Sequence, residues 1–350
     1  MPDFRGATVL DDLPEAIMVE EILVRLPAED VLRCRAVRRS WRCATSTHDF
    51  ILAHHRRQPS LPIIDHVLLG GEDDVEAPHD SRLVVFGRDA VDHKLLPVIR
   101  CADPGTQYLK LHAALDGLLI VSSGTASLYY VCNPATRQCA RLYPLAQLCS
   151  GRIAGFYRHH PSGEYRVLYS VNNLSNATVI EDVIAFDTTG ETFRWMRRPA
   201  LPGSWPLLFE VDGTIALCGT RDGTSWTDIE VLVMRDYETG YWAMMYKIPA
   251  YKPLRPPPAI DSPYICRMAV LNVKEREMLI KFPGYRLFNC RIDGRLLRHV
   301  VVKCDEADDR VCRMEITLHS LQENIFQFPF FEMQEELDGI NKEHPFILRM

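Results

Sequence analysis

LPEAIMVEEILVRLPAEDVLRCRAVRRSWRCATSTHDF, from Leu13 to Phe50, is the stretch that organises this chain. Two Leu-Pro pairs punctuate it, Leu13-Pro14 and Leu26-Pro27. Proline suits a helix start, where its missing N–H has no partner to lose. Each pair therefore predicts a helix start, and the second also stops the helix before it. Ile22, Leu23 and Leu26 fall at helical spacing, with Ile17, Met18 and Val19 one turn earlier. Val31, Leu32, Ala36, Val37 and Trp41 continue the pattern beyond Pro27. The spacing predicts three short amphipathic helices in roughly 40 residues, a unit marginal by itself. The third is expected to run on through Phe50 to about Arg57. The apolar side of such a unit needs a partner.

Outward from this stretch the periodicity changes. Residues 1–12 read as a loose tail, and Gln58 to Pro62 breaks the helical pattern. Ile63 to Leu69 has strand character, and Gly70 to Asp80 reads as an exposed acidic loop. From Arg82 onward short β-branched and aromatic runs alternate with Gly, Pro, Asp and Asn. Asp116-Gly117 is a tight-turn signal between apolar runs. Val183–Phe186 with Thr192–Trp195, and Ile229–Met234 with Tyr241–Tyr246, read as hairpins. Asp-Gly recurs at Gly117, Gly213 and Gly294, at about twice the ~40–50 residues of one propeller blade. A propeller lets many short strands avoid one oversized sheet. A pair of β-sandwiches fits the same strands, but the roughly 270 residues after the linker favour six four-stranded blades.

Composition narrows the function classes. The chain has 350 residues, 47% hydrophobic and 25% charged, ordinary for soluble globular domains. A net charge of −6 offers no global basic field for nucleic acid or anionic lipid. The local exception is Arg33, Arg35, Arg38, Arg39 and Arg42, a run that suits either an acidic partner or a solvated helix face. The 11 cysteines are scattered without a CxxC pair, so no zinc ligand set is expected. No stretch approaches the ~18 apolar residues of a membrane span, and no secretory leader is read at the start. The expectation is a reduced intracellular protein, cytoplasmic or nuclear.

At its first helical stretch the chain resembles an F-box, whose pattern is roughly LPxDLLxEILxRLPxxxLxRxRxVCKxW. Leu13, Pro14, Glu21, Ile22, Leu23, Arg25, Leu26, Pro27, Leu32, Arg33, Arg35, Val37 and Trp41 sit on matching positions. Ala16 departs where an acidic residue is common, and Arg38-Arg39 where Cys-Lys is common. Further on, Tyr130 to Gln138 with its Asn133-Pro134-Ala135-Thr136 core, and Gly155-Phe156-Tyr157 followed by Gly163 to Leu168, resemble the F-box-associated domain of plant proteins. The Glu230 to Trp242 hairpin resembles a later element of that domain more loosely. The implied fold is α+β and multidomain. A three-helix F-box spans 13–57, and a linker with the first strand and acidic loop spans 58–80. An all-β, six-bladed propeller-like domain spans 81–350.

The resemblance also implies a partner. Leu13, Pro14, Ile22, Leu23, Leu26, Pro27, Leu32, Val37 and Trp41 would contact a Skp-family adaptor, and through it a cullin and a RING protein. The chain would then be the substrate-recognition subunit of a Skp–cullin–F-box ubiquitin ligase, non-catalytic, holding a target protein whose identity the sequence does not encode. An alternative is a propeller-fold enzyme acting on a small molecule at a central channel. A third is an F-box protein that works outside ubiquitin ligation.

The residues offer little chemistry of their own. No nucleophile elbow, zinc-protease helix or phosphate-binding glycine loop is present. His54-His55 and His159-His160 are adjacent pairs whose members point apart; the first is expected at a helix end and the second in a turn. Asp73-Asp74 and Asp308-Asp309 lack the spaced ligands of a calcium loop. Asn133 to Thr136 is turn chemistry and predicts a corner between strands. Trp195, Trp205, Trp226 and Trp242 are expected as core or as a recognition face. No catalytic residue, cofactor or metal site is expected.

Overall fold

The computed structural model describes residues 13–68, 80–86, 95–101, 109–123, 128–142, 151–159, 162–171, 183–188, 192–196, 199, 207–211, 214–220, 228–249, 267–272, 277–282, 286–291, 296–300, 312–331 and 346–348. The tail at 1–12, the acidic loop from Gly70, Asp73-Asp74, Asp308-Asp309, Trp205, Trp226, Gly213 and Gly294 lie outside the described residues.

Both prolines sit where the sequence reading put them, immediately before a helix. Pro14 (φ −56°) precedes α1 (Glu15–Ile17), and Pro27 (φ −54°) precedes α2 (Ala28–Val37). The first helical stretch continues as a wide π turn over Met18–Ile22 and a tight 3-10 turn over Leu23–Arg25. It stops at Leu26, which is extended (ψ 153°), as a residue before proline should be. The expected third helix is instead two. Arg38 is extended between α2 and α3 (Arg39–Thr45). Thr47 then starts α4 (His48–Arg57), its hydroxyl accepting the Phe50 N–H at 3.3 Å.

Most of the described remainder is antiparallel strand, in six sheets of which none is closed. The largest has the order β20-β1-β2-β3-β21. It comprises β1 (Ser60–Leu68), β2 (Asp80–Phe86), β3 (Leu95–Cys101), β20 (Cys312–Gln322) and β21 (Phe346–Leu348). The early strand therefore lies inside a sheet, paired with β2 on one side and β20 on the other. Ile63 and Ile64 show why: successive strand residues face opposite ways, and both are fully buried. Ile63 joins one core with Leu119, Val121 and Cys132, and Ile64 another with Phe86, Leu279 and Ile316.

Three sheets have four strands: β4 to β7 (Leu109–Leu115, Leu118–Ser123, Leu128–Asn133, Gln138–Arg141), β12 to β15 (Leu207–Val211, Thr214–Thr220, Asp228–Asp236, Tyr241–Pro249) and β16 to β19 (Arg267–Asn272, Glu277–Phe282, Arg286–Arg291, Leu296–Val300). Two further pairs are β8 with β9 (Gly151–Arg158, Tyr165–Val171) and β10 with β11 (Val183–Asp187, Thr192–Met196). Six equal four-stranded blades are thus not what the described residues form; their sheets have five, four or two strands. The predicted hairpins are present as β10–β11 and β14–β15. The Asp116-Gly117 turn joins β4 to β5 with both residues at positive φ (49° and 80°) and Leu115 facing Leu118. Asn133 to Gln138 closes the β6–β7 corner.

Candidate protein-binding site

The helical unit divides its apolar residues between an internal core and the surface. Leu23 and Trp41 are buried, with Met18, Val24, Ala28, Val31, Phe50 and Ile51. Ala135 and Ile325 of the β body complete that cluster. Leu26, Leu32 and Ile22 are half-buried against it. Leu13, Pro14 and Pro27 are exposed. The largest apolar exposures on the unit are Val37 at 68% and Ile17 at 46%. Of the nine residues the F-box resemblance implies for a partner contact, Leu23 and Trp41 therefore hold this chain together, while Leu13, Pro14, Pro27 and Val37 present a free surface. Ile17 belongs with the second group; its one-turn spacing from Ile22 marked it as apolar but not as outward-facing.

The arginine run is divided too. Arg35 turns inward, its guanidinium donating to the Thr45 carbonyl (2.6 Å) and hydroxyl (3.1 Å). Arg38 lies over the Trp41 ring, 5.0 Å from its centroid. Arg33 pairs with Glu29 (2.8 Å) and Asp30 (3.1 Å) along α2. Arg39 and Arg42 are exposed beside them.

What fixes this unit on the β body is a polar tripeptide at the end of β20, Gln322-Glu323-Asn324. The ends of a helix leave backbone groups without intrahelical partners. Glu323 supplies one such partner, its carboxylate accepting the Ala28 N–H at 2.8 Å, where Pro27 offers no side-chain cap of its own. Gln322 supplies others at the far end of α4, its amide donating to the carbonyls of His55 (2.8 Å) and Gln58 (3.0 Å). Asn324 turns the other way and donates to the Asp116 carbonyl at 3.0 Å. The Asn324 carbonyl in turn accepts from the buried Asn133 amide at 3.0 Å. The strand end thus links the helices to the β4–β5 and β6–β7 corners, and Arg137 of the second corner also pairs directly with Glu29 of α2 at 3.2 Å. Burial pushes the Glu323 carboxyl pKa up, and the nearby Glu29 and Asp30 add to that rise, against the Ala28 N–H.

His54 and His55 lie in the last turn of α4, the helix end expected for them, and both take part in the same junction. His54 is fully buried, and its Nε2 and the Gln58 amide both meet the Leu26 carbonyl, at 2.9 Å and 3.0 Å. His55 points away from it, its Nδ1 at 2.8 Å from the Glu323 carbonyl and its Nε2 at 3.9 Å from Asp116. The Tyr165 hydroxyl donates to the other Asp116 oxygen at 2.8 Å. Asp116 raises the His55 pKa above the ordinary imidazole value against the opposing effect of burial, and the Glu323 carbonyl adds to the rise. His55 first, then the Tyr165 hydroxyl, hold Asp116 below the usual carboxylate range.

A raised histidine pKa contributes stability that is full below the unfolded value and lost as pH rises through the folded one. A lowered aspartate pKa contributes stability that is full above its unfolded value and lost as pH falls through the folded one. The pair therefore works best between about pH 4 and about pH 6.5. Asp116→Asn keeps an acceptor for Tyr165 and removes the charge. The expected result is a thermal midpoint lowered at about pH 6, with the deficit shrinking as the pH is raised from there and His55 loses its proton in the native protein. A deficit that stays constant across that range would show the ion pair to be inert.

One more polar contact lies on the sheets. His112 Nε2 is 2.7 Å from the Ser122 hydroxyl, and its ring stands edge-on to Tyr129. Burial, with Lys110 and His319 adding, pushes the His112 pKa down to about 4. An imidazole that reluctant to take a proton is a weak general base. Among the described residues no three or more His, Cys, Asp and Glu side chains group as a metal site. Among those residues, too, no helix is long and apolar enough to cross a membrane. No protein-family model matches the chain, and no curated protein does.

Proposed function

We propose that this chain is the substrate-recognition subunit of a Skp–cullin–F-box ubiquitin ligase, a non-catalytic adaptor. Its helical unit engages a Skp-family adaptor, and the β body holds a target protein. The observation that carries this reading is apolar surface left over after the helical unit has built its own core. Met18, Leu23, Val31, Trp41 and Phe50 are already buried, yet Ile17 and Val37 remain in water. Covering each such side chain gives ~1.5–3 kcal/mol to a complex. The Gln322-Glu323-Asn324 junction supports the reading as well. A ligase subunit acts by proximity, so a fixed relation between adaptor-binding and target-binding ends keeps the target at high effective concentration near the ubiquitin-charged enzyme.

The finer architecture forms part of the same proposal. Three pairs of strand neighbours recur at a step of four, β4 against β8, β12 against β16 and β16 against β20, and β20 also lies against β4. That step supports a propeller-like ring. In it the β8–β9 and β10–β11 pairs share one position, which gives five positions instead of the six expected from length. Target specificity then belongs to loops on one face of the ring.

The test uses the full chain co-expressed with a Skp-family adaptor and cullin. Trp41 is a poor site to probe, because its truncation would open a cavity in the helical core. Removing residues 1–57 is no better, since it would uncover Ile325 and Ala135. Ile17→Asp with Val37→Asp changes only exposed positions. The expected outcome is adaptor affinity reduced by at least about 100-fold, from two lost contacts of ~1.5 kcal/mol or more each, with an unchanged thermal midpoint. Undiminished adaptor capture by the double variant rejects the interface. Adaptor capture without cullin points to a role outside ubiquitin ligation.

A further inference from the structure

Two thiols outside this interface stand in an unusual relation. Cys132 on β6 and Cys139 on β7 are direct partners across the antiparallel pair. Their sulfur atoms are 2.9 Å apart, and both are free thiols. Facing residues of an antiparallel pair have Cα atoms ~4.5–5.5 Å apart, within the ~4.4–6.8 Å span a disulfide tolerates. No strand slip or backbone rearrangement is needed to join them. Their exposures differ: Cys132 is fully buried, whereas Cys139 is half-buried at the sheet's edge strand. An oxidant arriving from solvent therefore meets Cys139 first, with Cys132 directly behind it.

The corner between them is the one on which the junction rests. Asn133, next to Cys132, holds the Asn324 carbonyl, and Ala135 fills the helical core beside Ile325. We propose that Cys132 and Cys139 form a reversible oxidation site, in which a peroxide converts the pair into a cross-strand disulfide that staples this corner. Cys139 Sγ first takes one peroxide oxygen to become a sulfenic acid, and the rest of the peroxide leaves as water. Cys132 Sγ then attacks Cys139 Sγ. The S–S bond forms, the S–OH bond breaks, and the hydroxide leaves with the Cys132 proton as a second water. The two sulfurs give up two electrons in all, and the peroxide takes both. A small-molecule dithiol reverses the step by exchange. Burial raises the Cys132 pKa, which keeps that thiol protonated and leaves the first reaction with peroxide to Cys139.

The sequence makes the link easy to read. Arg137 separates the two cysteines, so trypsin places Cys132 in peptide 111–137 and Cys139 in peptide 138–141. The full-length protein is treated with hydrogen peroxide, unfolded with an alkylating reagent present, and digested without reductant. Peptide 138–141 is expected joined to 111–137 and released by dithiothreitol. The thermal midpoint of the oxidised protein is expected to rise and to return on reduction, with Cys139→Ser unresponsive. Separate alkylation of both peptides overturns the inference, as does Cys139 carried on to sulfinic acid with Cys132 still alkylated. A linked pair with no rise in the midpoint overturns the stapling.

Discussion

Asn133→Ala is expected to destabilise the protein by on the order of 2–6 kcal/mol, because two buried backbone groups lose partners at ~1–3 kcal/mol each. Asn133 is fully buried, and its side chain works in both directions. Its oxygen accepts the Ala135 N–H at 3.1 Å, which shapes the turn. Its amide donates to the Asn324 carbonyl at 3.0 Å, which ties β6 to the strand end that caps α2 and α4. Asn133→Asp separates the two roles. The carboxylate still accepts from Ala135 but faces the Asn324 carbonyl with a second acceptor. At neutral pH this variant should be no better than alanine. As pH falls the protonated carboxyl regains a donor, so its denaturation midpoint should rise relative to that of Asn133→Ala. Equal midpoints for wild type and Asn133→Ala in urea would mean that the junction does not depend on this residue.

Asn133 also shows how far sequence reading reaches. Its turn chemistry was legible, because Asn-Pro-Ala-Thr is a local signal and the corner closes within six residues. So were the helix starts at Pro14 and Pro27 and the Asp116-Gly117 hairpin. Each depends on backbone preferences of the residue itself. The boundary at Arg38 could not be placed from sequence, since arginine is a good helix former and nothing local stops the helix there. The break at Ser46-Thr47 that divides the expected third helix was missed, although Thr47 is a good N-cap. The division of the helical unit's apolar residues was hidden as well. Spacing identifies an apolar stripe, and cannot separate the face that meets Ile325 and Ala135 from the face left in water. Trp41 was accordingly expected at a partner and lies in the core, while Ile17 received no role and is outside. The junction was the least legible part. Gln322-Glu323-Asn324 is an ordinary polar tripeptide by composition, and Glu323 meets Ala28 across 295 positions of sequence. Only the pairing of β20 with β1 brings it to the helices.

Gly117→Ala is the second large effect, and Gly240→Ala is its control. Both glycines have positive φ, 80° and 66°, where an L side chain costs roughly 1–2 kcal/mol. Their surroundings differ. A Cβ on Gly240 would meet nothing within 4 Å. A Cβ on Gly117 would lie 2.7 Å from the Asn324 Cβ, 2.9 Å from the Asn324 nitrogen and 2.9 Å from the Gln322 carbonyl. Two of those three atoms are backbone of the strand end that caps the helices, so relief requires the strand end itself to move. Overpacking of this kind adds ~1–3 kcal/mol. Gly240→Ala should therefore cost about 1–2 kcal/mol and Gly117→Ala about 2–5 kcal/mol. The loss in Gly117→Ala should also be directional. Displacing Gln322 and Glu323 removes the caps of α4 and α2, so amide hydrogen exchange should quicken at Ala28, while the β14–β15 hairpin keeps its native protection. If both variants lose the same stability, the close approach of Gly117 to Asn324 contributes nothing. The attachment of the helices to the β body would then rest on their other contacts, among them the apolar packing against Ile325 and Ala135 and the Arg137–Glu29 ion pair at 3.2 Å.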